Sequence, residues 1–262
     1  MKLATWNVNS LKQRMPRVLE FLAEHRPDVL CMQETKTTAE AFPHAELETA
    51  GYLAADNSGG RWAGVAVLAP AATPPIAVVT GLPGEVDAEE RRWIEAEVAG
   101  VRVASVYVPN GRALGTPTFA AKLRFFDAMR ARVTALLAER GGGLVVTGDM
   151  NVAAADLDVY DPAAFSESTH VTPDERGRLE ALLAEGMVDA YRELSPDGVG
   201  YTWWDYRAGH FHKHLGLRID LALVSTDLAP RLRSAGIDRS YRKGPKPSDH
   251  APLIVEWDGA PP

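Results

Sequence analysis

Between Gly64 and Val108 the chain passes through GVAVLA, PIAVVT, WIEAEVA and VRVASVYV with no helical pattern between them. Each run is short, rich in β-branched residues and flanked by turn-forming or charged ones, which is how strands read. A meander of this kind does not fit a plain parallel array in which every strand is followed by a helix. It predicts sheets packed on one another, with helices outside them.

Elsewhere KLATW, DVLCM, GLVVTG, IDLALVS and APLIVEW also read as strands. SLKQRMPRVLEFLAEH, FAAKLRFFDAMRARVTALLAER and TPDERGRLEALLAEG place apolar residues three and four apart and read as amphipathic helices. The third opens on Thr172, Pro173 and two acids and stops at Gly186, which is sound capping chemistry. No linker, repeat or low-complexity segment divides the 262 residues, so a single α/β domain is expected. A hydrophobic share of 46% is enough to build one large core. The lone cysteine, Cys31, excludes an internal disulfide framework. There is no export signal and no membrane-length apolar run, so a cytoplasmic protein with no membrane partner is expected.

The net charge of −7 argues against nucleic acid as a partner, but charge is unevenly spread. From Val199 to Lys246 nine Lys and Arg face four acids, a local +5. Charge alone reads as a solvated basic face.

The residues at the strand ends are more informative. KLATW leads to Asn7 and Asn9, DVLCM to Gln33-Glu34-Thr35-Lys36, VRVASVYV (with Tyr107) to Pro109-Asn110-Gly111-Arg112, and GLVVTG to Asp149-Met150-Asn151. Polar residues at several strand ends can meet at one rim of a sheet. Each has an ordinary alternative: Asn7 as a helix cap, Glu34 as a helix N-terminal acid, Gly148-Asp149 as a turn, His250 as a satisfied semi-buried histidine. Asp220 is harder to dismiss, because a carboxylate inside the apolar strand RIDLALVS needs a partner. In KPSDHAP, Asp249 and His250 are adjacent; a strand would turn them to opposite faces, whereas a loop lets both meet one site. An imidazole is the natural partner for Asp220.

Asn7, Glu34, Asp149, Asn151, Asp220, Asp249 and His250 form a set of hard oxygens with no sulfur, suited to Mg²⁺ or Mn²⁺ and not to structural zinc. No nucleophile elbow, Walker loop or dinucleotide glycine loop is present. The chemistry that fits is metal-assisted attack of water on a phosphoester.

MKLATWNVNSL, DVLCMQETK, VYVPNG, GDMN, YTWWDYR, GLRIDLALVS and KPSDHAP together resemble, in order and spacing, the exonuclease III family of apurinic/apyrimidinic (AP) endonucleases, from residue 1 to about residue 257. That family belongs to the endonuclease/exonuclease/phosphatase superfamily. The resemblance implies a four-layered α/β sandwich, two packed mixed β-sheets flanked by helices, with the site at one end. It implies that Glu34 is the principal Mg²⁺ ligand, helped by Asn7 or Asp249, with a second metal near Asp149, Asn151 and His250 as an option. Asp149 would handle the proton of the attacking water or leaving oxygen, and Asn151 would donate to the phosphate or nucleophile. Asp220 would hold a charged His250 which, with Tyr107, stabilises the phosphoryl oxygens. Trp203 and Leu217 would form a slot for a flipped sugar lacking its base, and Asn110, Arg112 and Lys122 would approach the DNA.

The chain departs from the family pattern at Ser10, usually Gly, and at Val108-Pro109-Asn110-Gly111, which looks more like the eukaryotic-type enzymes. The implied function is a Mg²⁺-dependent DNA repair nuclease cutting 5′ to abasic sites in duplex DNA, with activity at 3′ ends and no obligate protein partner. The competing readings are a superfamily hydrolase of another phosphoester and a catalytically inactive nucleic-acid-binding relative.

Overall fold

The structure, a computed structural model, describes residues 1–139 and 143–259. Two six-stranded sheets carry the fold. The first contains β1 (Lys2–Asn7), β2 (Val29–Gln33), β3 (Tyr52–Asn57) and β4 (Val65–Pro70), together with the C-terminal β11 (Leu232–Ile237) and β12 (Leu253–Trp257). Its order is β11-β12-β1-β2-β4-β3. The second contains β5 (Ile76–Thr80), β6 (Trp93–Val98), β7 (Val101–Tyr107), β8 (Leu144–Asp149), β9 (Met187–Asp189) and β10 (Asp220–Ser225), in the order β5-β6-β7-β8-β10-β9.

Each sheet has one parallel pair at its centre, β1 with β2 and β7 with β8, and antiparallel neighbours on both sides. The parallel pairs are spanned by the two long helices, α1 (Leu11–His25) and α3 (Pro117–Ala138). Parallel neighbours need such a crossover, and helices that cross must lie on a sheet face. Among the described residues, the short α2 (His44–Thr49) and α5 (Ala190–Leu194) and the longer α4 (Pro173–Leu183) complete the α-helices.

Three apolar layers result. Leu3, Val29, Val67, Val103, Val145, Ala222 and Val255 are fully buried between the sheets. Trp6, Val18, Phe21, Leu30 and Met32 pack α1 onto the outer face of the first sheet. Phe125, Met129, Val146, Leu179, Leu182 and Leu223 pack α3 and α4 onto the outer face of the second. The order helix, sheet, sheet, helix is the four-layered sandwich expected.

The nine expected strands are present, and the meander passes from the first sheet to the second between β4 and β5. β3, β9 and β11 are additional to them. All three are edge strands, so they need only one apolar side or none: β9 is three residues long, and β11 reads LRSAGI. Helix α3 begins at Pro117, two residues before the expected Phe119, because Thr116 accepts from the Phe119 N–H as its cap. Its expected end at Arg140 lies outside the described residues. Among the described residues no helix is long and apolar enough to cross a membrane.

Part of the basic segment is engaged within the chain. Arg218 is fully buried between Asp158 and Asp189, Arg207 pairs with Asp205, and Arg233 pairs with Asp258. Arg242 is buried and donates to the backbone oxygens of Asp249 and Trp204.

Candidate active site

The C-terminal ends of the parallel pairs lie at the same end of both sheets: β1 stops at Asn7, β2 at Gln33, β7 at Tyr107 and β8 at Asp149. Beneath them a polar layer crosses between the sheets. Gln33 Nε2 donates to Thr5 Oγ1 and to Ser105 Oγ, both at 3.0 Å, and Ser105 Oγ donates to the Met32 carbonyl at 3.1 Å. Buried polar groups are stable when partnered in this way. Gly148 makes a close approach possible: at φ +146°, a Cβ there would sit 2.0 Å from the Val106 carbonyl oxygen. Only glycine lets β8 deliver Asp149 beside β7.

Asn7 is not a helix cap. Its Nδ2 donates to Glu34 Oε1 at 2.7 Å and to Asp149 Oδ2 at 2.9 Å, so one amide bridges carboxylates from the two sheets. Nor is Glu34 in a helix; it comes just after β2 with φ +50°, a strained backbone for a non-glycine residue and one held by its neighbours. Asp149 is buried, and its Oδ1 accepts from the Asn151 N–H at 2.9 Å. Asn151, also left-handed at φ +51°, accepts at Oδ1 from Asn110 Nδ2 at 3.0 Å and donates through Nδ2 to the Val108 carbonyl at 2.9 Å. One N–H of that amide therefore remains for a ligand.

The KPSDHAP loop is pinned to the end of β1. Ser248 Oγ donates to the Asn7 carbonyl at 2.7 Å, and Trp6 Nε1 donates to the His250 carbonyl at 3.1 Å. This loop turns both Asp249 and His250 toward the rim. His250 Nδ1 lies 2.8 Å from Asp220 Oδ2, and its Nε2 lies 3.7 Å from Asp149 Oδ2. Asp249 accepts from Asn9 Nδ2 at 2.9 Å and from Trp203 Nε1 at 3.1 Å.

The electrostatics divide the roles. Burial alone would push His250 down, but the Asp220 and Asp149 carboxylates outweigh it and lift its pKa to about 10. At neutral pH it is an imidazolium. Burial raises Asp149 to about 7, opposed by the His250 charge and reinforced by Asp220 and Glu34. Burial and the Glu34 carboxylate also raise Tyr107 well above an ordinary phenol, so it is a neutral donor, with Arg92 stacked 4.5 Å over its ring.

Atoms of Glu34, Asp149 and His250 lie within 4.8 Å of one another. His250 Nδ1 is taken by Asp220, and the hard oxygens of Glu34 and Asp149 suit a divalent cation. Lys36 supports that assignment: its ammonium sits 2.7 Å from Glu34 Oε2 and 2.6 Å from Asn9 Oδ1, a positive charge drawn to the same carboxylate.

A cavity of about 700 Å³ runs from Glu34 and Tyr107 past Asn110 and Arg112 to Arg124 and the exposed Trp62. Trp203 and Leu217 are on another flank. Backbone bridges join Trp203 both to Leu217 and to His250, and the half-buried Trp203 packs with Leu217, Val159 and Ile219. Leu217 departs from the expectation: it is fully buried and lines no open slot, so it supports Trp203 from behind. Of the tryptophan pair, Trp204 is the core residue, 1% exposed. Asn110 and Arg112 are exposed at the rim.

Lys122 departs from the expectation. Its side chain is fully buried, so it makes no direct contact with DNA phosphate; its ammonium donates to the Asn151 and Asn110 carbonyls and pairs with Glu175. Asn9, Lys36, His170 and Glu175 also belong to the site's surroundings. Asn9 and Lys36 lie inside the NVNSL and QETK motifs, a usable signal. His170 has none: it reaches the Asn151 carbonyl through Nδ1 at 2.5 Å from a loop of no regular structure.

Comparison with known proteins agrees with this geometry. The chain matches the Endonuclease/Exonuclease/phosphatase family over residues 4–250. It is 30% identical to exodeoxyribonuclease III of Haemophilus influenzae, covering 98% of this chain and 100% of that protein. A Neisseria structure described as a 3′ phosphatase bound to product DNA hairpin superposes with a TM-score of 0.95 at 41% identity, covering 99% of this chain and 100% of the other. An AP endonuclease structure from Archaeoglobus fulgidus superposes with a TM-score of 0.94 at 34% identity, with the same coverage. The chain belongs to the endonuclease/exonuclease/phosphatase family, within its exonuclease III group of DNA repair nucleases.

Proposed function

We propose that this protein hydrolyses phosphodiesters of damaged duplex DNA, cutting 5′ to abasic sites and also processing 3′ ends. The observation that carries the reading is the half-buried Glu34 brought against the buried Asp149 and an Asp220-held His250 imidazolium, beside Trp203. Mg²⁺, or Mn²⁺ in its place, would be held by Glu34 and Asp149, with Asn7 between them and Asp249 reached through Asn9. When bound, the cation supplies charge neutralisation at the phosphoryl group.

The protein's own groups do the rest. Asp149, beside the His250 imidazolium, takes the proton of the attacking water. The water oxygen bonds to phosphorus while the bond to the 3′ oxygen breaks, and the departing oxygen takes a proton from solvent, leaving a 3′-hydroxyl and a 5′-phosphate. The His250 Nε2–H, the Tyr107 hydroxyl and the spare Asn151 N–H face the charge that develops on phosphoryl oxygens, and they are already fixed before reaction. The half-buried Trp203, backed by the fully buried Leu217, presents the apolar surface that receives a sugar without its base, the nucleotide that costs least to extrude. Asn110 and Arg112, exposed beside Asn151, meet the DNA backbone.

A second reading, 3′-end processing without abasic incision, is favoured by the Neisseria 3′ phosphatase, the more identical of the two structures above. One gel assay separates them. A duplex with a single abasic analogue and a recessed duplex ending in a 3′-phosphate are incubated with Mg²⁺ or with EDTA. Incision of the first, lost with EDTA and in Glu34→Ala, is expected; release of phosphate from the second alone selects the 3′-end reading. Folded, metal-supplied protein inert on both refutes the DNA reading. An inositol phosphate, a sphingolipid and RNA serve as the competing substrates.

A further inference from the structure

The three segments that carry Asn110, Asn151 and His170 are loops; the Asn110 and Asn151 carbonyls and the Thr169 hydroxyl converge on one buried cation. Lys122 lies in the second turn of α3. Its Nζ donates to the Asn151 carbonyl at 2.7 Å, to Thr169 Oγ1 at 3.0 Å and to the Asn110 carbonyl at 3.2 Å, and it pairs with Glu175 Oε1. Glu175, fully buried near the start of α4, also accepts from Thr169 Oγ1 at 2.7 Å and from the His170 N–H at 2.9 Å. The Asn151 carbonyl takes a second donor, His170 Nδ1. Both lone pairs of that oxygen are therefore used, on the peptide immediately after a strained left-handed residue.

Joining the helices does not require this pair. α3 and α4 already pack through Phe125, Met129, Leu179 and Leu182, and Arg178 reaches Asp127 across their surface at 3.1 Å. A buried ion pair contributes little net stability over an apolar replacement of the same size. An apolar pair, however, has no donors with which to grip the carbonyls of two loops.

We propose that the Lys122–Glu175 pair is a positioning device for the phosphoester reaction, fixing the Asn110 and Asn151 amides relative to Asp149 and His250. It rests on the reading of this rim as a DNA phosphoesterase site. Lys122 touches no substrate; it acts through the loop backbones.

The test compares kcat and KM of Lys122→Met, Lys122→Met/Glu175→Gln and Thr169→Val on whichever of the two DNA duplexes the wild type turns over. Lys122→Met leaves a buried carboxylate unpaired, so its melting temperature falls. The double variant removes both charges and recovers most of that loss. Positioning predicts that the double variant still loses kcat about 10- to 100-fold, the scale of an ångström-level misplacement, with KM within about twofold. Thr169→Val, which removes one hydroxyl from the junction, loses kcat several-fold at nearly unchanged melting temperature. A purely structural pair predicts instead that kcat returns with stability. A folded double variant with kcat within twofold of wild type overturns the proposal. If that variant does not fold, Thr169→Val decides alone, and an unchanged kcat overturns it. Wild type inert on both duplexes overturns the functional reading, a separate result.

Discussion

Replacing Asp220 by asparagine removes one charge from a buried pair and leaves the shape of the side chain almost unchanged. Asp220 Oδ2 lies 2.8 Å from His250 Nδ1, and neither side chain meets solvent to any extent. Two charges about 4 Å apart at an effective dielectric of about 20 interact by roughly 4 kcal/mol, or about three pKa units. Burial continues to oppose the imidazolium, and Asp149, 3.7 Å from Nε2, continues to favour it. The His250 pKa should therefore drop from about 10 in the wild type to near 7 in Asp220→Asn.

Proton linkage sets the sign for stability. A histidine whose folded pKa is raised stabilises fully below its unfolded value, about 6.5, and loses that contribution as pH rises through the folded value. Wild-type melting temperature should decline between about pH 7 and pH 10.5, and the histidine part of that decline should be much smaller in the variant. Two assays check the shift. Histidine-selective NMR on metal-free protein tracks the His250 ring directly, and kcat/KM against pH should move its alkaline limb down by about two to three units. A His250 titration at the same pH in both proteins, with an unmoved alkaline limb, refutes the pairing as the source of the charge.

Metal binding should be linked to a proton. With Asp149 raised to about 7, Mn²⁺ taken up near pH 6.5 displaces a proton from it, read by calorimetry in buffers of different ionisation enthalpy; heats independent of buffer contradict that. Trp204→Ala should cost about 3–5 kcal/mol in denaturant unfolding, as for other buried aromatics. Trp203→Ala, which loses an edge contact and the bond to Asp249, should cost roughly 1 kcal/mol and instead raise KM for abasic duplex. Equal losses for the two would contradict the assignment of core and slot. Arg218→Met leaves Asp158 with Arg192 and Asp189 with backbone N–H groups only and should cost about 3 kcal/mol, whereas a variant as stable as wild type would mean that those partners suffice.

The central strands were legible because burial on both faces demands apolar residues at nearly every position. β8, β10 and β2 are buried throughout. Edge strands face no such demand: in β11 every residue after the first is half-buried or exposed, and neither LRSAGI nor YLAADN carries a period. Length hid β9, since three residues give no pattern. The site divided in the same way. Glu34, Asp149, Asp220 and His250 stand at strand ends or inside an apolar strand, where an acid or imidazole is conspicuous against its neighbours.

Lys122 and Glu175 gave the opposite impression for a physical reason. On a helix a charged residue is ordinary, and Glu175 at the third position of α4 had a complete explanation as a capping acid, accepting from the Thr172 N–H and hydroxyl. That explanation is correct and insufficient: one carboxylate oxygen caps the helix while the other holds the ammonium and the His170 N–H. Helical periodicity registers which face a residue occupies. It does not register that two helices, separated by the whole of β8 and the 150–172 segment, close around loops whose carbonyls need a buried cation. Strand ends announce the groups that react; the groups that hold those loops in place are visible only once the layers are stacked.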